Sequence, residues 1–230
     1  MNIKRATGSI KSIQEWSKAC FGSDCKQQHA FEVLISSFLL TFYHEKPEDV
    51  HDVTTETTKQ RSKYQHAKRA LKCLRGIGNA KNLICLLHRS GGSGKNTVIN
   101  TVKTYAANFC AMLGHKFTSR TIVVTAMSRV AATLLGSETT HSVLGLNRDT
   151  IQNKEVADWC DAQLLIIDEV SFVAGSNFHK MHQNLQKLMV NHFDAYRGLN
   201  VVFAGDYSQL ELVRREPVYK DGYFCPKFQG

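Results

Sequence analysis

The residues with the clearest chemical potential lie in a tight glycine turn that ends in a lysine, Gly91-Gly92-Ser93-Gly94-Lys95. Glycines allow successive main-chain N–H groups to point inward around a polyphosphate, and a helix N-terminus adds partial positive charge. Lys95 would reach the β- and γ-phosphates as a compact cation. The sequence therefore predicts a phosphate-binding loop.

The segments on either side of this turn agree with the prediction. The apolar run 83–87 before it predicts a buried strand. After it, apolar residues recur at three- and four-residue spacing, as on one face of a helix that Gly114 would end. These residues are Val98, Val102, Tyr105, Phe109 and Met112. A strand, a glycine turn, a lysine and a helix in this order favour nucleotide binding over a glycine turn without a ligand.

Two positions depart from the usual pattern G-x-x-x-x-G-K-[ST]. Arg89 stands at the first glycine, and Asn96 replaces the serine or threonine whose hydroxyl holds Mg²⁺. Thr97 cannot simply substitute, because one residue along a helix turns the side chain by about 100°. The Asn96 amide oxygen can still ligate a hard cation, although it is neutral and bulkier than a hydroxyl. The sequence thus predicts nucleotide binding and leaves catalysis open.

Two adjacent carboxylates, Asp168 and Glu169, follow the apolar run 164–167. This is the Walker B arrangement, in which Asp168 would hold Mg²⁺ directly or through water and Glu169 would polarise the attacking water. An acidic strand end in an ordinary loop is the alternative. A phosphate-binding loop in the same chain favours the catalytic interpretation.

Four short apolar runs alternate with helical patterns, and polar residues follow the C-terminal end of each run. The runs are 83–87, 121–125, 164–167 and 200–204. Helices are expected at 25–43 with Asp24 as N-cap, at 61–75, at 126–135 before Gly136, and at 178–193, and a loop is expected at 138–142. This alternation predicts an open parallel sheet with ligands at its carboxyl edge.

Net charge is +9, and residues 1–115 carry 17 Lys/Arg against 8 Asp/Glu, whereas residues 116–230 carry 12 of each. A basic first half suggests a polyanionic partner, although basic surfaces often serve only solubility. The seven cysteines show no C-x-x-C spacing, which suggests reduced thiols in an intracellular compartment. No apolar run approaches membrane-spanning length, so no membrane association is expected. Nuclear, mitochondrial and viral settings all remain open.

The order of motifs resembles the N-terminal motor domain of superfamily 1B DNA helicases of the Pif-type, RecD-like group. Residues 24–31 resemble the Q-motif of that family, 89–97 its motif I, and 124–142 its motif Ia region with the DNA-contacting segment that follows. Residues 168–171 are similar to motif II, and 205–210 to motif III. Several motifs in the right order, spread from residue 24 to residue 213, are far more specific than any one of them.

The resemblance implies roles for individual residues. Gln27 would contact adenine, and Gln209 would sense the γ-phosphate and couple it to DNA. ATP with Mg²⁺ would be the cofactor, and single-stranded DNA the partner. The positions that match the DNA-contacting segments are Thr125, Ala126, His141 and Ser142. The resemblance further implies an ATP-dependent helicase that moves 5′ to 3′.

The implied fold is α/β: a RecA-like P-loop NTPase domain with an open, mostly parallel sheet and helices on both faces, preceded by a helical N-terminal segment. We expect residues 81–230 to form this first motor domain. Residues 1–80 would be the helical segment that carries the Q-motif and packs on it.

In the family a second motor domain follows and brings an arginine to the γ-phosphate. The chain ends at Gly230, soon after motif III, and Glu211 stands where a proline usually follows in that motif. We expect a longer chain or a partner to supply the second domain, and we do not expect this chain alone to separate strands. Two alternatives stay open: a catalytically silent remnant that binds nucleotide or DNA, and another P-loop ATPase such as a packaging or recombination motor.

Overall fold

The computed structural model describes residues 13–44, 82–88, 92, 94–112, 115–148, 150–189 and 199–206. The chain divides into two compact units, Met1–Lys81 with Gly94–Phe117, and Asn82–Ser93 with Thr118–Gly230. The helix that follows the glycine turn is thus grouped with the first unit.

Three helices make up the described part of the first unit: α1 (Ile13–Phe21), α2 (Cys25–His44) and α3 (Lys95–Met112). The Oδ1 atom of Asp24 accepts the main-chain N–H groups of Lys26 at 3.1 Å and Gln27 at 3.0 Å. Asp24 is therefore the N-cap of α2, which confirms that prediction.

Helix α2 packs against both α1 and α3. The ring of Tyr105 on α3 meets Trp16 of α1 edge-on with centroids 5.3 Å apart, and Phe31 of α2 at 5.8 Å. The predicted apolar face of α3 is confirmed at its four described side chains, which are all buried: Val98, Val102, Tyr105 and Phe109. The side chain of Met112 lies outside the described part.

Within its described residues, the second unit contains a five-stranded sheet in the order β1-β5-β4-β2-β3, in which the four pairings are all parallel. The strands are β1 (Ile84–His88), β2 (Ile122–Ala126), β3 (Glu138–Thr139), β4 (Leu164–Asp168) and β5 (Asn200–Gly205). The predicted open parallel sheet is confirmed, with one strand more than the four that were predicted.

The described part of the same unit includes four α-helices: α4 (Arg129–Leu134), α5 (Thr140–Val143), α6 (Asn153–Trp159) and α7 (Gly175–Leu188). On one face of the sheet, Leu165 and Phe203 share a buried cluster with Trp159 of α6 and Leu185 of α7. Alternate residues on the other face, such as Ile166, are buried as well. Burial on both faces explains why β2, β4 and β5 are continuous apolar runs.

Strand β1 differs from its prediction as a buried strand, since Ile84 and Leu86 are 44% and 46% exposed. Within the described residues β1 lies at one edge of the sheet and pairs only with β5. An apolar run alone does not distinguish an edge strand from a central one, because strand position depends on distant pairings.

The segment 138–142, predicted as a loop, forms β3 and the first residues of α5 instead. Helix α4 begins at Arg129 rather than at residue 126, because β2 continues through Ala126 and Ser128 is the N-cap. Helix α4 ends before Gly136, as predicted, and Gly136 has a φ of 59°. Helix α7 begins three residues before its predicted start.

Several predicted features lie outside the described part of the chain. They are the basic helix 61–75, the helix end at Gly114 and the residues 190–193 of the helix predicted at 178–193.

Candidate functional site

Polar side chains follow β4 and β5 at the carboxyl edge of the sheet. Asp168 is the last residue of β4 and lies beside Ala126 of β2 in register, and Asp206 follows β5 directly. Both carboxylates are almost fully buried, at 6% and 5% exposure. Asp206 was not predicted as a site residue, although a carboxylate directly after a buried strand is the signal that identified Asp168.

Glu169, which follows Asp168, adopts a left-handed main-chain conformation with φ 57° and ψ 36°. It is the one non-glycine residue with positive φ in the described part of the chain. This conformation costs a non-glycine residue roughly 1–2 kcal/mol. Strain of this kind clusters at functional sites, where the surrounding structure maintains it.

A short 3-10 turn, Val170–Phe172, maintains the chain direction after Glu169. The N–H of Phe172 donates to the carbonyl oxygen of Glu169 at 3.0 Å. Gly205 of β5 packs so closely on this turn that a Cβ atom there would lie 3.0 Å from Cγ1 of Val170 and 3.2 Å from its nitrogen. A side chain at position 205 would therefore push against the residue that follows Glu169.

The Glu169 carboxylate is bound by the loop that joins β2 to α4. Its Oε2 atom accepts the main-chain N–H of Ser128 at 3.0 Å, and the N–H of Met127 donates to the carbonyl oxygen of Asp168 at 3.2 Å. A hydrogen bond to a charged group contributes about 1.5–3 kcal/mol, which is enough to offset the strain at Glu169. Sequence reasoning missed Ser128, because a main-chain donor has no side-chain signature.

Two of the four residues predicted to contact DNA have fully buried side chains. Thr125 and Ala126 are both 0% exposed. The Thr125 hydroxyl donates to the carbonyl oxygen of Ile166 at 3.4 Å and accepts from the Thr140 hydroxyl at 3.0 Å. The Thr125 hydroxyl therefore positions neighbouring segments, and contact of Thr125 and Ala126 with DNA, through the main chain, stays a prediction.

His141 and Ser142 on α5 are accessible, and their contact with DNA stays a prediction. The Ser142 hydroxyl donates to Oε2 of Glu138 at 3.1 Å, and its N–H donates to the Thr139 hydroxyl at 3.3 Å. Arg148, paired with Glu155 at 2.7 Å, also donates to the Ser142 carbonyl oxygen at 3.5 Å. Hydrogen bonds with Glu138, Thr139 and Arg148 thus hold Ser142 in place.

The described part of the glycine turn consists of Gly92, with φ 73°, and Gly94, with φ 83°. A Cβ atom on Gly94 would overlap Nε2 of Gln27 and lie 3.1 Å from its Cδ. Within the first unit, therefore, the residue predicted to contact adenine lies directly against a glycine predicted to contact phosphate. Gly91, Ser93 and Gln209 lie outside the described residues.

Lys95 is half-buried at the start of α3, and Asn96 and Thr97 are exposed beside it. Two glycines with positive φ followed by a lysine at the start of an 18-residue helix fit a polyphosphate. A buried strand-end carboxylate such as Asp168 fits a divalent cation. Ligation by Asn96 stays a prediction.

A parallel sheet whose first strand leads through a glycine turn to a helix that begins with a lysine, and whose fourth strand ends at Asp168 just before Glu169, defines a P-loop nucleotide-binding domain. The protein-family model described as "AAA domain" matches residues 68–222, and the chain belongs to this family.

Two sequence relatives indicate which group of P-loop proteins the chain resembles. The chain is 29% identical over 147 residues to the ATP-dependent DNA helicase RRM3 of Saccharomyces cerevisiae, a match that covers 59% of this chain and 19% of the relative. It is 27% identical over 141 residues to the ATP-dependent DNA helicase PIF1 of Candida albicans, covering 56% and 15%. These matches confirm the resemblance to Pif-type helicases. The chain spans less than a fifth of the length of either relative.

Among solved structures, the Pif1 helicase from Candida albicans aligns with a TM-score of 0.45 and 24% identity over 64% of this chain and 33% of that one. None of the helices in the described residues is long and apolar enough to cross a membrane.

Proposed function

We propose that the chain is the ATP-binding and ATP-hydrolysing first motor domain of a DNA helicase that acts on single-stranded DNA. The observation that supports it most directly is the strand-end carboxylate pair, with Asp168 buried and Glu169 strained and hydrogen-bonded to Ser128. An acidic strand end in an ordinary loop would need neither the strain nor the hydrogen bond.

Each residue then has a role. Gln27 contacts adenine, the glycine turn 91–94 and Lys95 bind the phosphates, and Gln209 senses the γ-phosphate. Asn96 and Asp168 would hold Mg²⁺, which when bound neutralises phosphate charge. Glu169 polarises the attacking water, and His141 and Ser142 hold the DNA strand through phosphate and sugar rather than base identity.

The relatives support a proposal for the second motor domain, the direction of movement and the cellular setting. A longer chain or a partner supplies the second motor domain and its arginine, and residues 81–230 are the motor domain of this chain. Movement is 5′ to 3′, on nuclear or mitochondrial DNA if the chain is eukaryotic. Without the arginine, hydrolysis is slower by about 10³-fold or more, the range of arginine-finger effects.

The decisive experiment measures Mg²⁺-ATP binding and slow ATP hydrolysis, with and without single-stranded DNA, for the native chain and for Asn96→Thr. Asn100→Thr is the matched control, because it makes the same change at an exposed position one turn later on α3. DNA-stimulated turnover in the native chain supports the proposal and makes Asn96 a working ligand. Failure of every variant to bind Mg²⁺-ATP would overturn it.

A second candidate, a catalytically silent remnant, is favoured by Asn96 at the hydroxyl position. Recovery of turnover in Asn96→Thr alone would place the defect at the cation ligand. Binding without turnover in all three chains would support the silent remnant.

A variant at Gln27 tests the remaining alternative, that the chain is another P-loop ATPase such as a packaging or recombination motor. Replacement of Gln27 by Ala should lower the affinity of the chain for ATP more than its affinity for inosine triphosphate, because contacts with adenine are lost. If Gln27→Ala leaves the affinity for each nucleotide unchanged, the result would support the alternative that the chain is a packaging or recombination motor.

A further inference from the structure

We infer that Ser128 is a positioning residue for hydrolysis, because its main-chain N–H fixes one carboxylate oxygen of Glu169. This inference rests on the proposed function, in which Glu169 polarises the attacking water. None of the motif assignments gives Ser128 such a role.

The contact fixes the carboxylate at one end only. The Ser128 nitrogen lies 3.0 Å from Oε2 of Glu169, so this hydrogen bond does not involve the second carboxylate oxygen. A carboxylate bound through one oxygen cannot rotate freely, so its other oxygen keeps one direction. Activation of an attacking water requires the catalytic group to be held within about 0.5 Å of its productive position.

The main chain at Glu169 is fixed separately from its side chain. The left-handed conformation and the hydrogen bond from Phe172 act on the main chain of Glu169 itself, and Gly205 packs closely on the next residue, Val170. With the main chain held, the hydrogen bond from the Ser128 N–H fixes the carboxylate itself. The two restraints therefore act on different parts of one residue.

The donor is itself well anchored. The Ser128 hydroxyl accepts the N–H of Ala131 at 3.2 Å, which caps α4, and the preceding N–H, of Met127, donates to the carbonyl oxygen of Asp168. Ser128 thus uses its side chain for the helix cap and its main chain for Glu169. Mutations can separate the two uses.

The test compares three variants of the full chain. Ser128→Pro removes the N–H, and Ser128→Ala keeps the N–H but removes the cap. Gln152→Pro is the matched control, since Gln152 is the N-cap of α6 and its N–H also donates to a carboxylate oxygen, Oε2 of Glu155, at 2.9 Å. ATP affinity and the single-turnover hydrolysis rate are measured for each.

We expect Ser128→Pro to lower the single-turnover rate about 10- to 100-fold, the usual effect of removing a group that orients a catalytic ligand, while ATP affinity stays unchanged. Ser128→Ala should lose less, and Gln152→Pro should match the native chain. In a Glu169→Gln background, Ser128→Pro should add no further loss, because both changes act through one carboxylate. A rate for Ser128→Pro equal to that of Gln152→Pro would overturn the inference while the proposed function stands.

If the native chain binds no ATP, the proposed function fails and the inference fails with it. If Ser128→Pro does not fold, amide hydrogen exchange decides. The Ser128 amide should exchange faster in Glu169→Ala than in the native chain, and an unchanged exchange rate would overturn the inference.

Discussion

Buried hydroxyls distinguish the end of β2. Thr125 and Thr140 are both 0% exposed, and their hydroxyls form a chain that ends at the carbonyl oxygen of Ile166. The contact ties β2 and β4 to the first residue of α5, just before His141. Thr125, which the motif comparison predicted to contact DNA, thus stabilises the start of the segment that carries His141.

Thr125→Val tests this interpretation, because valine keeps the shape and removes the hydroxyl. We expect a loss of about 1–3 kcal/mol in the free energy of unfolding, since Thr140 is left without its buried acceptor. Urea denaturation measures this loss, and the dependence of the free energy of unfolding on urea concentration should be unchanged. The double variant with Thr140→Val should lose less than the sum of the two singles. The exposed control Thr150→Val should change stability by less than about 0.5 kcal/mol.

Gly94→Ala is expected to destabilise the chain for two reasons. Its φ of 83° costs an alanine roughly 1–2 kcal/mol. The new methyl group would also overlap the Gln27 amide. Gly136→Ala is the matched control, because Gly136 has φ 59° but no neighbouring atom within 4 Å.

Gly94→Ala should therefore cost more than Gly136→Ala in urea denaturation, and Gln27→Ala should remove the difference. Equal losses in the presence of Gln27 would show that the close approach of Gln27 is unimportant.

At the scale of elements, α7 anchors the segment that follows α5. Asn184 is buried, and its Nδ2 donates to the carbonyl oxygens of Leu144 at 2.8 Å and Gly145 at 3.1 Å. These two carbonyls follow directly after the helix that carries His141 and Ser142. One amide side chain therefore substitutes for the hydrogen bonds that a longer helix would have made.

Asn184→Leu should lower the free energy of unfolding by about 1–3 kcal/mol, because two buried carbonyl oxygens lose their donor. The neighbouring Gln183 is exposed, so Gln183→Leu is a control of the same type. Hydrogen exchange should accelerate around residues 140–146 in the Asn184 variant. Equal stability of the two variants would contradict this role.

The elements that sequence analysis predicted well are those buried on both faces or along one helical face. Strand β4 is apolar at every position before Asp168, and α3 repeats its apolar residues over 18 positions. Strand β3 and helix α5 have only two and four residues, too few to show a period. They form because Thr139 caps α5 and Thr140 reaches Thr125, contacts that sequence spacing does not reveal.

The site follows the same division. Asp168 and Glu169 were predicted because adjacent carboxylates at a strand end are visible in the sequence. The hydrogen bond from Ser128 spans 41 positions and uses a main-chain donor, so only the folded sheet reveals it.

At the scale of the whole molecule, burial disfavours the ionised forms of three groups. It raises the pKa of the Cys85 thiol from 9.0 to about 12, that of Cys110 from 9.0 to about 11, and that of Tyr105 from 10.0 to about 12. In the unfolded chain these groups lose their protons at lower pH than in the folded chain. The stability that they contribute is present below about pH 9 and is lost as pH rises through the folded pKa values.

We therefore expect the free energy of unfolding, measured by urea denaturation under reducing conditions, to fall steadily from about pH 9 to about pH 11. Cys110→Ala should make this decline less steep, because one of the titrating groups is removed. A stability that is independent of pH over this range would contradict the prediction.

The strand order also fixes when the sheet can be completed during synthesis. The Asn82 side chain at the start of β1 donates to the carbonyl oxygen of Leu199, 117 positions later, whereas β2 and β4 pair over a much shorter separation. At about 5–20 residues per second, a ribosome needs roughly 6–23 seconds to make that interval. The half-exposed residues Ile84 and Leu86 therefore spend that time in a strand without its neighbour, and a product that stops before β5 never completes the pairing.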